Sequence, residues 1–241
     1  MTTPPISPAP ISLYSGLVVR EPIVTTLAPE FERESGTRVE TVFEPTTVLL
    51  ERIAAGERPD LFLGVAAAVR ELGERGVLDP LTVTEIAVSA VGFARMPQDP
   101  GPIDDSVRAF LDYVLGAPAV AYSLSGASGL HFADTMRALD LLERIDQSAV
   151  RFATGLTAEA VVDGRAQVAI QQISELRSVP GDHVVEPIPH ELQSYARFAV
   201  GVRPGASESA RRFADQLSGD RAAEAYAAVG LSAPRPQAVR G

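Results

Sequence analysis

Apolar residues recur along this chain with two alternating spacings. The apolar runs 11–17, 37–43 and 60–66 predict short buried strands, and the segments 21–36 and 46–57 between them predict amphipathic helices. We expect a threonine to cap the second of these helices. Strands that alternate with helices of this length predict right-handed crossovers and a mostly parallel sheet.

The same alternation continues through the rest of the chain. The remaining predicted strands are 85–95, 118–122, 149–153, 166–171, 183–188 and 196–202. The remaining predicted helices are 67–78, 106–115, 128–144, 157–164, 206–217 and 220–229. The fold class predicted is therefore α/β.

Two of these strands are long, and we interpret them as crossings between two lobes. The strand 85–95 is followed by a loop rich in Pro, Gly and Asp instead of a helix. We therefore expect lobe 1 to contain residues 11–85 plus 196–232, and lobe 2 to contain residues 86–195. Residues 1–10, with four prolines, predict a disordered lead-in, and the tail 233–241 predicts a frayed end.

Composition excludes several kinds of chemistry. The chain has no cysteine, and all 21 of its basic residues are arginine, which excludes thiol nucleophiles, zinc–thiolate sites and Schiff-base lysines. The three histidines, His131, His183 and His190, do not have a metal-binding spacing, so we expect no metal and no cofactor. A net charge of −10 argues against nucleic acid as a partner but not against a small anion, because local dipoles dominate at short range.

Hydroxyl and amide side chains follow four of the predicted strands. They lie in the segments YSG (14–16), EPTT (44–47), SLSGASG (123–129) and IQQISEL (170–176). Strand ends meet helix N-termini at such junctions, and the free N–H groups of a helix N-terminus favour a bound anion. Although Ser and Thr at one helix start are usually simple caps, four junctions spread over both lobes favour a shared anion site.

Four segments, taken in order, resemble the molybdate-binding-protein-like group of solute-binding proteins. They are APEFERESGTRVETVFEPTTVLLERIAAGERPDLFL (28–63), SGASGLHF (125–132), AIQQISEL (169–176) and VPGDHVVEPIPHELQ (179–193). The resemblance extends from about residue 11 to residue 232. It implies the two-lobed type II periplasmic-binding-protein-like fold, with two crossover strands and an oxyanion or carboxylate in the interlobe cleft.

The resemblance also implies positions for the ligand contacts. A bulky pair, Glu44-Pro45, stands where molybdate binders have small residues, and Gln172 stands where they have tyrosine. These departures argue against molybdate or tungstate. The QQISEL version instead resembles a subgroup that includes aconitate isomerase. The predicted ligand-binding residues are Ser15, Thr46, Thr47, Ser125, Ser128, Gln172 and Tyr195.

Isomerisation of an aconitate-like acid requires a general base, and three residues are candidates. Glu44 follows a strand beside the second anion loop. We expect His131 in the first turn of a helix, where the dipole favours the neutral imidazole. Glu175 follows the glutamine pair. Each also has a simpler interpretation: Glu44 as an exposed carboxylate, His131 as a packed histidine and Glu175 as a brace of its helix. The sequence does not rank the three candidates.

Arginine side chains are a further option for binding a carboxylate. Arg20 flanks the first loop, as does Tyr14, and Arg197 lies on the second crossing strand. An arginine in either place would suit a carboxylate through bidentate pairing.

Two functions of different classes follow from this sequence. The first is a cytoplasmic isomerase that moves a proton in a small di- or tricarboxylate. The alternative is a non-catalytic solute-binding protein of the ABC-transporter type for a molybdate-like oxyanion or an organic acid. The N-terminal segment resembles no secretory signal, so we expect a cytoplasmic location unless the true start lies upstream. We expect a monomer, and no membrane insertion because no apolar run reaches about 18–20 residues.

Overall fold

The computed structural model describes residues 9–234, so the predictions for the lead-in 1–10 and the tail 233–241 lie almost wholly outside the described residues. Its strands are β1 (Ile11–Ser15), β2 (Val39–Phe43), β3 (Leu61–Val65), β4 (Thr84–Arg95), β5 (Val120–Ser123), β6 (Val150–Phe152), β7 (Val168–Gln172), β8 (Val184–Pro187) and β9 (Tyr195–Val202).

Helices follow most of the strands, as the alternation predicts. They are α1 (Arg20–Pro22), α2 (Ala28–Ser35), α3 (Thr46–Ala54), α4 (Ala66–Glu74), α5 (Val107–Gly116), α6 (Ala127–Ala138), α7 (Leu142–Asp146), α8 (Glu159–Val162), α9 (Ile173–Arg177), α10 (Glu208–Ser218) and α11 (Asp220–Ala228). Single 3₁₀ turns lie at Leu17–Val19, Pro80–Thr82 and His190–Leu192, and a π-helical turn lies at Ile23–Leu27. No helix in the described range is both long enough and apolar enough to cross a bilayer.

The strands form one continuous path in the order β2-β1-β3-β9-β4-β7-β5-β6, with β8 paired to β4. Strand β1 is parallel to β2 and β3, and β5 is parallel to β6 and β7. Every residue of β3 but the last is buried, as expected for a parallel strand covered on both faces. Two parallel units are thus joined through the antiparallel strands β4 and β9, which confirms the predicted α/β fold.

Strand β4 belongs to both units. Its residues 84–90 pair with β9, and its residues 91–95 pair with β7 and β8. We call the unit on the β9 side lobe 1 and the unit on the β7 side lobe 2. The boundary drawn from the sequence, between residues 85 and 86, lies inside β4 before this change of partner.

Each lobe has its own apolar core. In lobe 1, the rings of Phe31 and Phe213 pack at 4.8 Å between centroids, and in lobe 2 those of Phe93 and Phe110 pack at 5.6 Å. Leu17 of lobe 1 packs into an apolar cluster of lobe 2. The two lobes therefore touch directly on one side of the space between them.

Two local predictions are wrong. The helix predicted over 128–144 breaks into α6 and α7 because Asp140 adopts a left-handed backbone conformation with φ of 58°. No threonine caps α3, because Pro45 occupies the N-cap position and the helix begins at Thr46. The threonine hydroxyls at this helix start therefore make other contacts.

Candidate functional site

A narrow cavity lies between the lobes, and its empty space of about 370 Å³ includes the part that is open to solvent. Residues of both lobes form its wall, and none of the described lining residues is Arg, Lys or His. The lining residues are Gly16, Leu17, Pro45, Thr46, Val65, Ser123, Gly126, Ala127, Gln171, Gln172, Glu175 and Phe198. We call this space the interlobe cavity.

Helix N-termini converge on the interlobe cavity. Pro45, Val65 and Gly126 are the N-cap residues of α3, α4 and α6, three helices of nine residues or more. Gly16 and Gln172 hold the same position before two shorter helical turns. The first N–H groups of a helix have no acceptor within that helix, and each N-terminus carries a partial positive charge. The wall can therefore hold an anion without a cationic side chain.

The loop before α6 is shaped by Ser123. Its Oγ accepts hydrogen bonds from the backbone N–H groups of Gly126 at 2.9 Å and of Ser125 at 3.3 Å. The helix then approaches the strand end so closely that a Cβ on Gly129 would lie 1.9 Å from the Ser123 carbonyl oxygen. Only glycine fits this approach, which sets the N-terminus of α6 against β5.

Ser128 is 1% exposed, and its Oγ has no hydrogen-bond partner among the described residues. It is the second residue of α6, beside the N-terminus that faces the cavity. Most buried polar groups have a partner, so an unpaired one in such a place indicates a ligand contact. Ser128 does not itself line the interlobe cavity, but it directly follows the lining residue Ala127, so its unpaired hydroxyl lies next to the wall.

The two glutamines at the end of β7 have different roles. The amide of Gln171 holds the loop before α8, because its Oε1 accepts from the Thr157 N–H at 2.7 Å and its Nε2 donates to the Gly155 carbonyl at 3.0 Å. Gln172 is equally buried, but its Oε1 has no partner among the described residues. Gln171 therefore braces the wall. Gln172 is the N-cap residue of α9 in a capping box with Glu175, and only the Nε2 of its side chain could donate to an anion, because Oε1 is an acceptor.

Glu175 is the ionisable residue of the cavity wall, and it lies in the first turn of α9. One of its carboxylate oxygens accepts from the Gln172 N–H at 3.3 Å. Burial raises the pKa of Glu175 to about 7, because hydrogen bonds from the Gln172 backbone and the Gln171 side chain offset the desolvation only in part. By surface area Glu175 is half-buried, and it lines the interlobe cavity.

Lobe 1 contributes less to the wall through its side chains. Thr46 Oγ1 lies at the cavity and accepts from the Val65 N–H at 3.1 Å, which joins the starts of α3 and α4. Ser15 is fully buried, and its Oγ donates to the Gly16 carbonyl at 3.0 Å. Ser15, a predicted ligand-binding residue, does not line the interlobe cavity, and the Gly16 N–H donates to the Leu63 carbonyl at 2.8 Å.

Two hydrogen bonds connect the lobes beside the cavity. Thr47 Oγ1 donates to the Ser125 carbonyl at 2.9 Å, and Thr154 Oγ1 donates to the Glu44 carboxylate. The Ser125 hydroxyl itself donates to the carbonyl of Ala153. The structure therefore places Glu44, Thr47 and Ser125 at the junction of the lobes, outside the lining of the cavity.

Two predicted site residues lie elsewhere. His131 is the fifth residue of α6, in the second turn instead of the expected first, and its Nε2 lies 2.8 Å from the Leu192 carbonyl oxygen. Tyr195 is 60% exposed and lines a different cavity. Neither residue lines the interlobe cavity.

The side chains proposed as partners for a carboxylate also point elsewhere. Arg197 bonds the Glu85 carboxylate, and Arg20 is exposed. The Tyr14 hydroxyl donates to the Glu57 carboxylate. The described part of the chain contains no group of three or more His, Asp or Glu side chains that could hold a metal ion.

The second cavity lies within lobe 2 and has an empty volume of about 1000 Å³. Phe93, Phe110 and Ile188 provide apolar surface. Its lining also includes four carboxylates, those of Asp104, Asp105, Glu186 and Glu191. We call this space the acidic cavity.

Sequence reasoning did not identify several residues that shape the interlobe cavity. Gly16, Val65 and Gly126 line the cavity as the residues before helix starts, and their own N–H groups are bonded within the protein, a role that no side-chain pattern reveals. Gln171 and Ser123 act as braces of the loops. The doubled glutamine and the serine-rich loop were visible signals, but the sequence does not show which member of each faces the ligand.

The chain is similar to known proteins in sequence and in fold. The chain is 28% identical to an aconitate isomerase of a Pseudomonas species over 219 residues, which are 86% of this chain and 82% of that protein. The periplasmic molybdate-binding protein of Azotobacter vinelandii has a similar structure, with a TM-score of 0.75 at 16% identity over 93% of this chain and 100% of that chain.

A third similar structure is PEB3 with L-phospholactate bound, with a TM-score of 0.67 at 16% identity over 93% of this chain and 100% of that chain. At such identities the structural matches show the fold alone. Residues 13–232 match the family model described as bacterial extracellular solute-binding protein, which covers most of the chain. The chain therefore belongs to this family of solute-binding proteins.

Proposed function

We propose that this protein is an isomerase that binds a small, aconitate-like di- or tricarboxylate between its lobes and moves a proton from one carbon of it to another. The observation that supports this most is Glu175, a buried carboxyl with a pKa of about 7, in the same wall as the converging helix N-termini. A general base works best when its pKa lies near the operating pH. Glu175 is thus the base that we favour over Glu44 and His131.

The proposed reaction needs no oxidant, reductant or cofactor. The Glu175 carboxylate accepts a proton from a carbon next to a substrate carboxylate, and the electron pair of the broken C–H bond delocalises into that carboxylate and the adjoining double bond. The helix N-termini, the Ser128 hydroxyl and the Gln172 amide stabilise the added negative charge. The protonated Glu175 then returns its proton to a different carbon, and the double bond shifts.

The substrate class rests on the comparison with a named relative. The Pseudomonas relative is called aconitate isomerase, and it matches this chain along most of both lengths. The absence of cationic side chains among the described lining residues also suits proton abstraction, because the basicity of Glu175 is not quenched by an ion pair.

A second candidate function is anion binding without catalysis. The family model is that of extracellular solute-binding proteins, and the backbone donors of the cavity hold an anion whether or not Glu175 reacts. The two candidate functions differ in whether the ligand is turned over and in where the protein is located. If the protein is an isomerase, we propose that it is located in the cytoplasm. Fractionation of the native cells checks that location.

Deuterium exchange tests the isomerase directly. The protein is incubated with cis- or trans-aconitate in D₂O, and proton NMR follows both isomer formation and deuterium incorporation. We expect both with the wild-type protein. We expect Glu175→Gln to lower the turnover number by about 10²–10⁴-fold while it keeps the dissociation constant within about tenfold.

Glu44→Gln is the matched control, since Glu44 is the other carboxylate beside the cleft and bonds Thr154. It should retain most of the turnover. If Glu44→Gln is inactive and Glu175→Gln active, the base has been assigned to the wrong residue. If an acid binds but never exchanges its protons, the protein is a binding protein and not an isomerase.

A further inference from the structure

We infer that this protein takes up a proton at Glu175 when an anion enters the interlobe cavity, so that anion and proton bind together. The inference rests on the proposed function only in using the same cavity, and it holds for a binding protein as well as for an isomerase. In the anion complex, the neutral Glu175 carboxyl donates a hydrogen bond to the ligand.

The first support is the composition of the cavity wall. The helix N-termini at the wall attract an anion, and the unpaired Ser128 hydroxyl directly follows the lining residue Ala127, but no described lining residue provides a full positive charge against the Glu175 carboxylate. An anion beside an ionised Glu175 would place two negative charges in one narrow space. A like charge at such a distance favours the protonated form of a carboxyl.

The second support is the absence of a competing charge near Glu175 among the described residues. Helix α9 packs on β4, β7, β8 and the 3₁₀ turn that begins at Leu17. The raised pKa of Glu175 has burial as its cause, opposed only by hydrogen bonds, with no contribution from a charged neighbour. Titratable or charged groups on these elements and beside α9 are Glu85, Arg95, Arg177, His183 and Glu186.

These neighbouring groups either bond to other residues or are exposed to solvent. Glu85 bonds Arg197, and Arg95 bonds Glu186. Arg177 is exposed, and the Nε2 of His183 lies 2.9 Å from the Leu176 carbonyl oxygen. Glu175 is therefore the group near the cavity whose protonation an anion changes most.

The sign of the pH dependence follows from this linkage. Below about pH 7 Glu175 already carries its proton, so anion binding takes up none and the affinity does not depend on pH. Above about pH 7 a proton must be added, and the dissociation constant rises by up to about tenfold per pH unit. The rise ends where the carboxyl ionises in the complex as well.

Proton uptake also suits the proposed isomerase. A bound anion raises the proton affinity of Glu175, which makes its ionised fraction a stronger base. The turnover number should therefore rise with pH over a higher range than kcat/KM, because the first reports the complex and the second the free protein.

Isothermal titration calorimetry of the wild-type protein measures the proton uptake. Sulfate and trans-aconitate serve as probes, each in two buffers of different ionisation enthalpy, from about pH 6 to about pH 9. We expect close to no proton per anion at the lower pH and close to one at the higher. Absence of uptake at about pH 8 in a protein that binds the probe overturns the inference.

Glu175→Gln identifies the group, with Glu44→Gln as its control. The glutamine variant should take up no proton, bind independently of pH, and at about pH 9 bind more tightly than the wild type, because it keeps a neutral donor. Glu44→Gln should retain the wild-type uptake. Uptake that persists in Glu175→Gln assigns the proton to another group and overturns the inference.

A carbon-13 NMR titration of the glutamate carboxyls in the wild-type protein decides the matter if Glu175→Gln does not fold. One signal should titrate near pH 7 and move to higher pH with the probe, and its absence overturns the inference. Proton uptake without turnover leaves the inference intact and rejects the isomerase. Turnover without proton uptake supports the isomerase and overturns the inference. If neither probe binds, both fall.

Discussion

The two cavities of this protein differ in size and in charge. The larger cavity has the wall that is less suited to an anion, and the smaller one has the wall that is better suited. The acidic cavity, at about 1000 Å³, is the larger, but its wall carries the carboxylates of Asp104, Asp105, Glu186 and Glu191. The interlobe cavity, at about 370 Å³, has five helix N-caps at its wall and one carboxyl that burial keeps partly protonated at neutral pH. An anion is repelled by the first wall and attracted by the second.

The comparison teaches that volume is a poor guide to the ligand site in this molecule. Oriented N–H groups cost no reorganisation when an anion arrives, and they act at short range where solvent screens little. A larger space lined by four carboxylates offers an anion no such stabilisation. The net charge of −10 is therefore compatible with anion binding, since the local field of the interlobe cavity decides the outcome.

The largest expected effect comes from the backbone that builds the interlobe cavity. Gly129→Ala places a methyl group 1.9 Å from the Ser123 carbonyl oxygen, and backbone cannot swing aside as a side chain can. We expect a loss of about 4 kcal/mol in the free energy of unfolding, above the usual cost of overpacking. Urea denaturation measures this loss.

Gly116→Ala is the control for that substitution. Gly116 ends α5, and a Cβ there would meet nothing within 4 Å. We expect it to raise the free energy of unfolding by about 0.5–1 kcal/mol, because alanine loses less backbone entropy on folding. If the two variants have equal stability, α6 does not pack against β5 as described.

We expect a smaller effect from the substitution of Ser128, which we propose contacts the ligand. The Ser128 hydroxyl has no partner among the described residues, so Ser128→Ala should leave the stability of the unliganded protein unchanged or slightly raised. It should weaken anion binding by about 2 kcal/mol, roughly thirtyfold, because a buried donor to a charge is lost. Chemical denaturation and calorimetry measure the two quantities separately.

Ser106→Ala should show the reverse behaviour. The Ser106 Oγ caps α5 by accepting from the Ala109 N–H at 3.1 Å, in a part of lobe 2 that does not line the interlobe cavity. We expect a loss of about 1 kcal/mol in stability and an unchanged affinity for the anion. An unchanged dissociation constant in Ser128→Ala would remove Ser128 from the site.

The smallest effect is expected in the acidic cavity. Asp105→Asn and Glu191→Gln each remove an exposed carboxylate, and exposed charges are largely screened at physiological salt. Calorimetry should show anion affinity within about twofold of the wild type. A gain of tenfold or more in either variant would move the anion site to this cavity.

Much of the fold was predictable because it depends on local patterns. The alternation of apolar strands with amphipathic helices predicts the α/β class, and the two long apolar strands correspond to β4 and β9. The break at Asp140 was not predictable, because a single residue in a left-handed conformation leaves no periodic signal. Pro45 also displaced the threonine cap that the sequence pattern favoured.

For the site, the sequence indicated which loops form the cavity better than it indicated the role of each side chain in those loops. Thr46, Gln172 and Glu175 all line the interlobe cavity, whereas Tyr195 and His131 lie away from it. Residue type alone does not distinguish Gln171 from Gln172, although Gln171 braces a loop and Gln172 is the N-cap residue of α9. The two glutamates among the candidate bases, Glu44 and Glu175, likewise differ only in where the fold places them.

The sequence by itself determined the strand and helix pattern, the absence of thiol and amine nucleophiles, and the supply of hydroxyl and amide groups at strand ends. Only the tertiary structure decided which helix starts face one another across the lobes and which carboxyl is buried there. The physical reason is that dipole orientation and desolvation depend on the three-dimensional surroundings of a group. Glu175 has an ordinary glutamate side chain, and its pKa of about 7 arises from burial beside the interlobe cavity.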